Sequence, residues 1–301
     1  MSDLASVIAD VPGPRARRRA RIASVVTVAV LVAAVVLVVL RLNAEGQFAQ
    51  KYYLDLKSGE AWRFLLTGLV NTLKVAAVAT VLSLVFGLVL AVGRLSGNRA
   101  VRAVSGTYVE AFRCFPLVVL ILVLNRLFAR SDSLSILNSG FWVMVVALTL
   151  YNASVLCEVF KAGVRSLPKG QREAGLAVGL TSTQAMRLIL MPQAIRLMLP
   201  TLMNQVVTIV MDTSLARFVS YGELLTRGYN FGISTRFGAY FKDQNQLQAL
   251  AVTGLIYVVL CLSLSQVTRY LERRQRQGGA KRVDAEGPGS QDIGLQALQT
   301  G

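Results

Sequence analysis

Residues 167–200 read LPKGQREAGLAVGLTSTQAMRLILMPQAIRLMLP, a polar and basic island between two long apolar runs. Pro168 suits the first turn of a helix, where a missing N–H has no consequence. Apolar side chains recur behind it at Leu176, Val178 and Leu180, and Gly179 interrupts them. Thr181 stands three residues before Gln184, the spacing of a capping box, so a second short helix can restart there. The stretch predicts helix, glycine bend, helix, lying at a membrane surface and running into a hydrophobic span.

Composition sets the class around that island. Hydrophobic residues make up 54% of the 301-residue chain, charged residues 16%, and the mean hydropathy is +0.53. Such a balance belongs to an all-α polytopic membrane protein. The net charge of +16 would suit a nucleic-acid partner. The basic residues fall at the ends of apolar runs, however, and that placement reads as the positive-inside pattern of membrane topology and not as a face that binds nucleic-acid phosphates. The chain has no histidine, which removes His-based catalysis and His metal sites. Cys114, Cys157 and Cys261 lie far apart in apolar segments and read as packing residues, with no disulfide or metal framework.

About six transmembrane helices follow from the apolar runs. Residues 1–21 form a basic tail ending in Arg15, Arg17, Arg18, Arg19 and Arg21. Ile22 to Leu40 is an uncharged run of 19 residues, about 28 Å as a helix. A cleaved signal peptide competes here with a retained anchor, and the length of the run favours the anchor. Tyr52, Tyr53 and Trp62 follow in a segment suited to a membrane interface. The second span runs from about Phe64 to Val92 and carries Gly68 and Gly87, which suit close helix packing in lipid.

The third span follows a basic loop at 94–104, and within it Glu110 and Arg113 stand three apart, close enough to neutralise each other. The fourth, about Phe141 to Val159, carries Glu158, an ionisable residue of the kind that marks a function in a membrane, near Lys161. The fifth, about Leu188 to Met211, holds Pro192 and Pro200, each expected to bend it. Asn204, Gln205 and Thr208 are expected to share one side of that span, and Asp212, Thr213 and Ser214 follow. Residues 216–246 read as a polar loop. Leu247 to Val267 is the sixth span, and the stretch from 273 to 301 reads as a disordered tail.

The loop at 167–192 resembles the EAA loop of binding-protein-dependent ABC transporter permeases. That pattern is Glu-Ala-Ala, three residues, Gly, nine residues, Ile, one residue, Leu-Pro. Glu173, Ala174, Gly179, Ile189 and Pro192 stand at this spacing, while Gly175 and Met191 depart from it. Other stretches are similar to the polar amino acid branch of the family. Gly68, Thr72 and Leu73 match the opening of the second span. Tyr108, Glu110, Arg113, Pro116 and Leu117 match the third, with Cys114 and Phe115 in place of Gly-Thr. Glu158, Phe160, Lys161 and Gly163 answer the end of the fourth span. Asp212, Thr213, Ser214, Leu215, Glu223 and Leu224 match the end of the fifth, with Met211 where Lys is usual.

The resemblance implies a type I ABC importer transmembrane domain over 62–272, preceded by an extra span over 22–61, with glutamate-uptake permeases the most similar. It implies an ABC ATPase dimer as partner, contacted through Glu173, Ala174, Gly179, Ile189 and Pro192. A second permease subunit, identical or paralogous, and an extracytoplasmic substrate-binding protein are implied with it. Glu110, Arg113, Glu158, Asn204, Thr208, Asp212, Thr213 and Ser214 become candidates for the translocation path of a polar amino acid. Arginine, lysine, histidine and glutamine stand as alternatives to glutamate.

Two sequence features bear on that expectation. No Gly-x-x-x-x-Gly-Lys-Ser/Thr occurs, so ATP hydrolysis falls to a partner and the chain itself is read as a non-enzyme with no cofactor. With six spans, the side that holds both termini and the 161–187 loop carries about twice the Lys and Arg of the other. That side is expected to be the cytosol of a bacterial cell, with the chain multi-pass in the cytoplasmic membrane. An ion-coupled secondary transporter with Glu110 or Glu158 as proton carrier is the reading from another class. It calls for repeated halves, and the chain shows no internal repeat.

Overall fold

The computed structural model describes residues 13–48, 58–130, 137, 139–233 and 246–285, the last fifteen of these as backbone only. Tyr52 and Tyr53, residues 1–12 of the basic tail, 234–245 of the polar loop and 286–301 of the tail lie outside the described residues. The chain divides into two compact units, Met1–Lys57 and Ser58–Gly301.

In the first unit, α1 spans Pro14–Ala44 and buries no residue. Proline occupies its first turn, so the helix starts inside the expected tail and takes Arg15 to Arg21 into its opening turns. From Ile22 to Leu40 the helix is apolar on every side, a surface that suits lipid.

The second unit is a helical bundle. Ser58 caps α2, Gly59–Arg94, by accepting from the Ala61 amide at 3.2 Å. The buried face of α2 repeats every three or four residues and is mostly small: Ala61, Gly68, Thr72, Ala76, Ala79, Ser83, Gly87, Ala91. α3, Arg99–Cys114, starts at Asn98, whose side chain accepts from the amides of Ala100 and Val101. α4 is Leu117–Arg130. The expected third span is therefore two helices, bent by 103° at Phe115–Pro116. The cause is local: Pro116 keeps Phe115 out of the helical region, and Phe115 sits at φ −81°, ψ 126°.

α5, Gly140–Arg165, is the axis of the bundle, with Val143, Met144, Val145, Ala147, Leu148, Ala153 and Cys157 fully buried. Towards its start it shares one core with Val75, Leu120, Ile121 and Ile209. Further along, Leu156 and Phe160 pack with Leu90, Val109 and Leu202.

The 167–200 stretch forms α6, Lys169–Ala177, then α7, Ser182–Ala185. Between them Gly179 takes φ +86°, and Leu180 N–H reaches Gly175 O while Gly179 N–H reaches Leu176 O. This double closure is a Schellman motif, and it needs a residue without a Cβ at 179. The Thr181–Gln184 capping box is complete. A π turn over Met186–Leu190 leads into α8, Met191–Asp212.

The two prolines occupy different places in the span. Pro192 lies in the first turn of α8, where the wider π turn ahead of it makes room for the ring. Pro200 sits inside α8 without breaking it, and Ser182–Val219 runs as one span. The polar loop from 216 also has structure: a 3-10 turn at Thr213–Val219, ended by Ser220 at φ +53°, and α9 at Leu224–Ile233. α10, Gln246–Ala285, carries helix well into the stretch expected to be disordered from 273. Its Glu, Arg, Gln and Lys residues are good helix formers that prolong a helix already started. Five described helices are long and apolar enough to cross a membrane, or six with the bent α3–α4 pair as one.

The α2–α5 contact makes a direct prediction. A Cβ on Gly87 would stand 2.9 Å from Leu156 Cβ and 3.0 Å from Ala153 O, whereas one on Gly106 meets nothing within 4 Å. Gly87→Ala is expected to cost about 1–3 kcal/mol. Gly106→Ala is expected to be neutral or to stabilise by up to about 1 kcal/mol. Thermal melts of the two purified variants check this, and equal shifts would show that the seam is loose.

Candidate functional site

Three groups of polar residues stand out in the bundle. The first is the loop. On α6, Glu173 and Ala174 are exposed, and Gly175 is buried against the bundle. A Cβ at 175 would come within 2.9 Å of Ile189 Cδ1 and 3.3 Å of Ala185 Cβ, so Ile189 and Ala185 form the seat on which α6 rests. Gln193 Nε2 donates to Gln171 Oε1 at 3.3 Å, and Arg172 Nη2 to Ser182 Oγ at 3.2 Å, tying α6 to α7 and α8. Pro192 is exposed at the base. Leu176 and Val178 project outward, Val178 77% exposed.

The second group is a four-residue ion cluster near the same end of the bundle. Arg94, at the end of α2, donates Nη1 to Glu158 Oε1 of α5 at 2.7 Å and Nη2 to Glu110 Oε1 of α3 at 3.2 Å. Lys161 Nζ adds a bond to Glu158 Oε2 at 3.1 Å. Two acids balance two bases, so the cluster carries no net charge, with Arg94, Glu158 and Lys161 mostly shielded and Glu110 at its exposed edge. The expected Glu110–Arg113 pair does not form. Both side chains are exposed on α3, but Glu110 is taken up by Arg94 from the neighbouring α2, which leaves Arg113 to solvent-side space. Glu110 instead finds Arg94, a residue read from sequence only as part of a basic loop. Nothing local signals these bonds, since Arg94 lies 16 residues from Glu110 and 64 from Glu158.

The third group runs along α8 to the opposite end. Gln205 donates Nε2 to Asn152 Oδ1 of α5 at 2.7 Å, and Asn152 Nδ2 donates to Leu148 O at 2.9 Å. Asn204 and Thr208 are exposed, and Thr208 Oγ1 donates to Asn204 O. The expected single polar side is therefore two sides. Neighbouring positions differ by about 100° around a helix, so Gln205 faces α5 while Asn204 and Thr208 face out. Asp212 is half-buried at the end of α8. Thr213 is buried and donates to Val210 O at 2.7 Å. Ser214 lines an apolar cleft of about 430 Å³ with Met211, Leu225, Tyr257 and Cys261.

Just beyond lies Glu223, which in the sequence is only one position of a motif. The carboxylate of Glu223 is fully buried. It accepts from the amides of Leu225 and Thr226 at 2.7 and 2.6 Å, capping α9, and from Tyr257 Oη of α10 at 2.7 Å. Burial pushes this carboxyl above its ordinary range, and those three bonds pull it back. Thr72 Oγ1 accepts from Leu224 N–H, Asn71 Nδ2 donates to Gly222 O at 2.8 Å, and Arg227 Nε donates to the same oxygen at 3.0 Å. Glu223 thus fastens α9 to α10, and its neighbours fasten the same turn to α2. Among the described residues no group of His, Cys, Asp and Glu gathers as a metal site.

The ion cluster carries a test. The Glu110 side chain is 72% exposed, and those of Arg94 and Glu158 are 16% and 28% exposed. A double-mutant cycle on melting is expected to give less than about 1 kcal/mol for Arg94–Glu110. A larger coupling is expected for Arg94–Glu158, of about 1–3 kcal/mol. The reverse order would remove Glu158 as the principal anchor of Arg94.

With this geometry in view, similarity to known proteins is informative. Residues 83–277 match the family described as binding-protein-dependent transport system inner membrane component. The chain is 35% identical over 257 residues to the glutamate transport system permease protein GluD of Corynebacterium glutamicum, covering 85% of this chain and 91% of that one. It is 34% identical over 216 residues to the glutamate/aspartate import permease protein GltK of Escherichia coli O157:H7, with 70% and 93% covered. It is 31% identical over 211 residues to the arginine transport system permease protein ArtQ of Bacillus subtilis, with 70% and 92% covered. A solved amino acid ABC transporter crystallised with histidines superposes with a TM-score of 0.59 at 25% identity, covering 71% of this chain and 95% of that one. The inward-facing MetNI methionine ABC transporter superposes with a TM-score of 0.56 at 20% identity over 71% and 99%, a likeness of fold.

Proposed function

The chain belongs to the family of binding-protein-dependent transport inner membrane components and is a multi-pass permease subunit of an amino-acid ABC importer; from that premise we propose that its substrate is glutamate and that loop 167–192 couples it to a separate ATPase. The observation that carries the coupling is α6. It is short, closed at its end by Gly179, and seated through Gly175 on Ile189, with Glu173, Leu176 and Val178 turned outward. On this reading Glu173 makes the charged contact with the ATPase, Ala174 lets the surfaces approach, and Leu176 and Val178 supply apolar anchorage. Because α7, the π turn and α8 are continuous with this loop, a push on α6 is delivered along the span that begins at Ser182.

Asn204 and Thr208, on the open side of α8, and Asp212 and Ser214 at its end are the residues assigned to the substrate path. Thr213 stiffens the turn between them. Arg113 offers an exposed cation to an acidic substrate, while Glu110 and Glu158 hold Arg94 in place. The transport domain is assigned to 62–272. A second permease, identical or paralogous, closes the path, and an extracytoplasmic binding protein delivers the substrate. Both termini and the loop are assigned to the cytosol by the charge bias. Glutamate is supported by the names of two relatives, against arginine for the third.

Reconstitution with the suspected ATPase and binding protein tests these assignments. Glu173→Arg is expected to lower uptake about tenfold or more, since a reversed charge meets a surface built for its opposite. Membrane insertion should be unchanged, and normal transport by this variant would end the docking role. Glutamate should stimulate ATP hydrolysis more than arginine, lysine, histidine or glutamine; any other order would reassign the substrate.

A further inference from the structure

At the loop end of the bundle, a cleft of about 250 Å³ opens between the end of α5 and the α6–α7 hairpin. Three cations line it: Arg165 in the last turn of α5, and Lys169 and Arg172 on α6. No Asp or Glu is among the lining residues. All three cations are exposed, and none of them forms a salt bridge with an acid among the described residues. Arg172 is oriented across the cleft by its bond to Ser182 Oγ. The floor is apolar, made by Leu95, Val164, Leu167 and Leu190, and it continues into the core beneath.

We propose that this cleft is a binding site for the headgroup of an anionic membrane phospholipid. The phosphate meets Arg165, Lys169 and Arg172, and the glycerol end lies over Leu95 and Leu167. The proposal rests on the chain being a membrane permease and is independent of its substrate and of coupling to an ATPase.

Three physical points single out a lipid. The cleft lies beside the ends of α2 and α5, where two apolar helices stop and headgroups begin. Its volume is below the roughly 300–1,000 Å³ of sites that enclose a whole small molecule, so it suits a headgroup whose tails stay in the bilayer. Exposed cations hold a free anion weakly at physiological salt, because water and counterions screen them. A lipid is already confined to the surface, so its effective concentration offsets that weakness. Bound there, one headgroup bridges a rigid span, through Arg165, and the hairpin that follows it, through Lys169 and Arg172.

The test uses the full-length chain in phosphatidylcholine nanodiscs titrated with phosphatidylglycerol, with bound lipid counted by native mass spectrometry. Phosphatidylglycerol is expected to be retained in preference to phosphatidylcholine. Lys169→Gln with Arg172→Gln is expected to weaken that retention about tenfold or more. Arg99→Gln with Arg102→Gln removes the same charge at the same end of the bundle but outside the cleft. Its effect is expected to stay within about threefold. Arg172→Lys with Arg165→Lys keeps the charge and is expected to keep the lipid, which separates binding from misfolding. Equal retention of the two lipids, equal loss in the two Gln pairs, or loss with charge kept would overturn the proposal. Displacement by millimolar inorganic phosphate would overturn it as well, by making the ligand a free anion. None of these results bears on transport, which is measured separately.

Discussion

Helices in lipid gain nothing by hiding apolar surface from one another, so close contact has to hold them. In this chain the contact is the seam between α2 and α5. The buried face of α2 is built from glycine, alanine, serine and threonine, and it lets the backbone of α5 approach so closely that a Cβ at Gly87 would press on Leu156 and the Ala153 carbonyl. Gly163 repeats the arrangement between α5 and α8, where a Cβ would stand 2.5 Å from Met198 Cγ. With α5 fixed on both sides, the other elements take their positions from it. The bent α3–α4 pair, the ion cluster and the long α8 span all rest on α5 side chains.

The polar groups follow from the same constraint. A charge in a dry bundle is tolerated when it is paired and hydrogen-bonded, and the structure pairs Arg94 with two acids from two other helices. A buried carboxylate is tolerated where amides and a hydroxyl point at it, and Glu223 has all three. These two polar knots lie near opposite ends of the bundle. One ties α2, α3 and α5 near the loop; the other ties α2, α9 and α10 beyond the end of α8. Between them α8 presents Asn204 and Thr208 to the open side and Gln205 to Asn152.

Much of the fold was legible because its signals are local. The apolar runs mark spans by length alone. Gly179 and the Thr181–Gln184 pair mark the bend and restart of the loop, since a Schellman turn and a capping box are each set by a handful of neighbouring residues. Pro116 marks a break as well, in the middle of what the apolar length presents as one span. The apolar run that begins at Leu117 follows so closely on α3 that the two look like one span, although Pro116 keeps Phe115 out of the helix. The 3-10 turn, α9 and the length of α10 were missed for a related reason. Their sequences are polar or mixed; contacts such as Glu223 with Tyr257 hold α9 in place, and α10 is prolonged by helix formers that extend a helix already started.

What this sequence determined by itself is the class, the apolar runs able to span a membrane, the bend and restart of the amphipathic loop, and the family. All of these depend on hydropathy, on short-range backbone rules and on residue spacing within a few turns. What only the tertiary structure decided is which charges and polar groups meet. Glu110 chooses Arg94 over Arg113, Gln205 leaves its neighbours to join Asn152, and Arg165 comes to stand beside Lys169 and Arg172 around one cleft. Those choices depend on the direction in which each helix turns its side chains once α2 and α5 have closed. Spacing along one helix says nothing about what another helix brings to meet it.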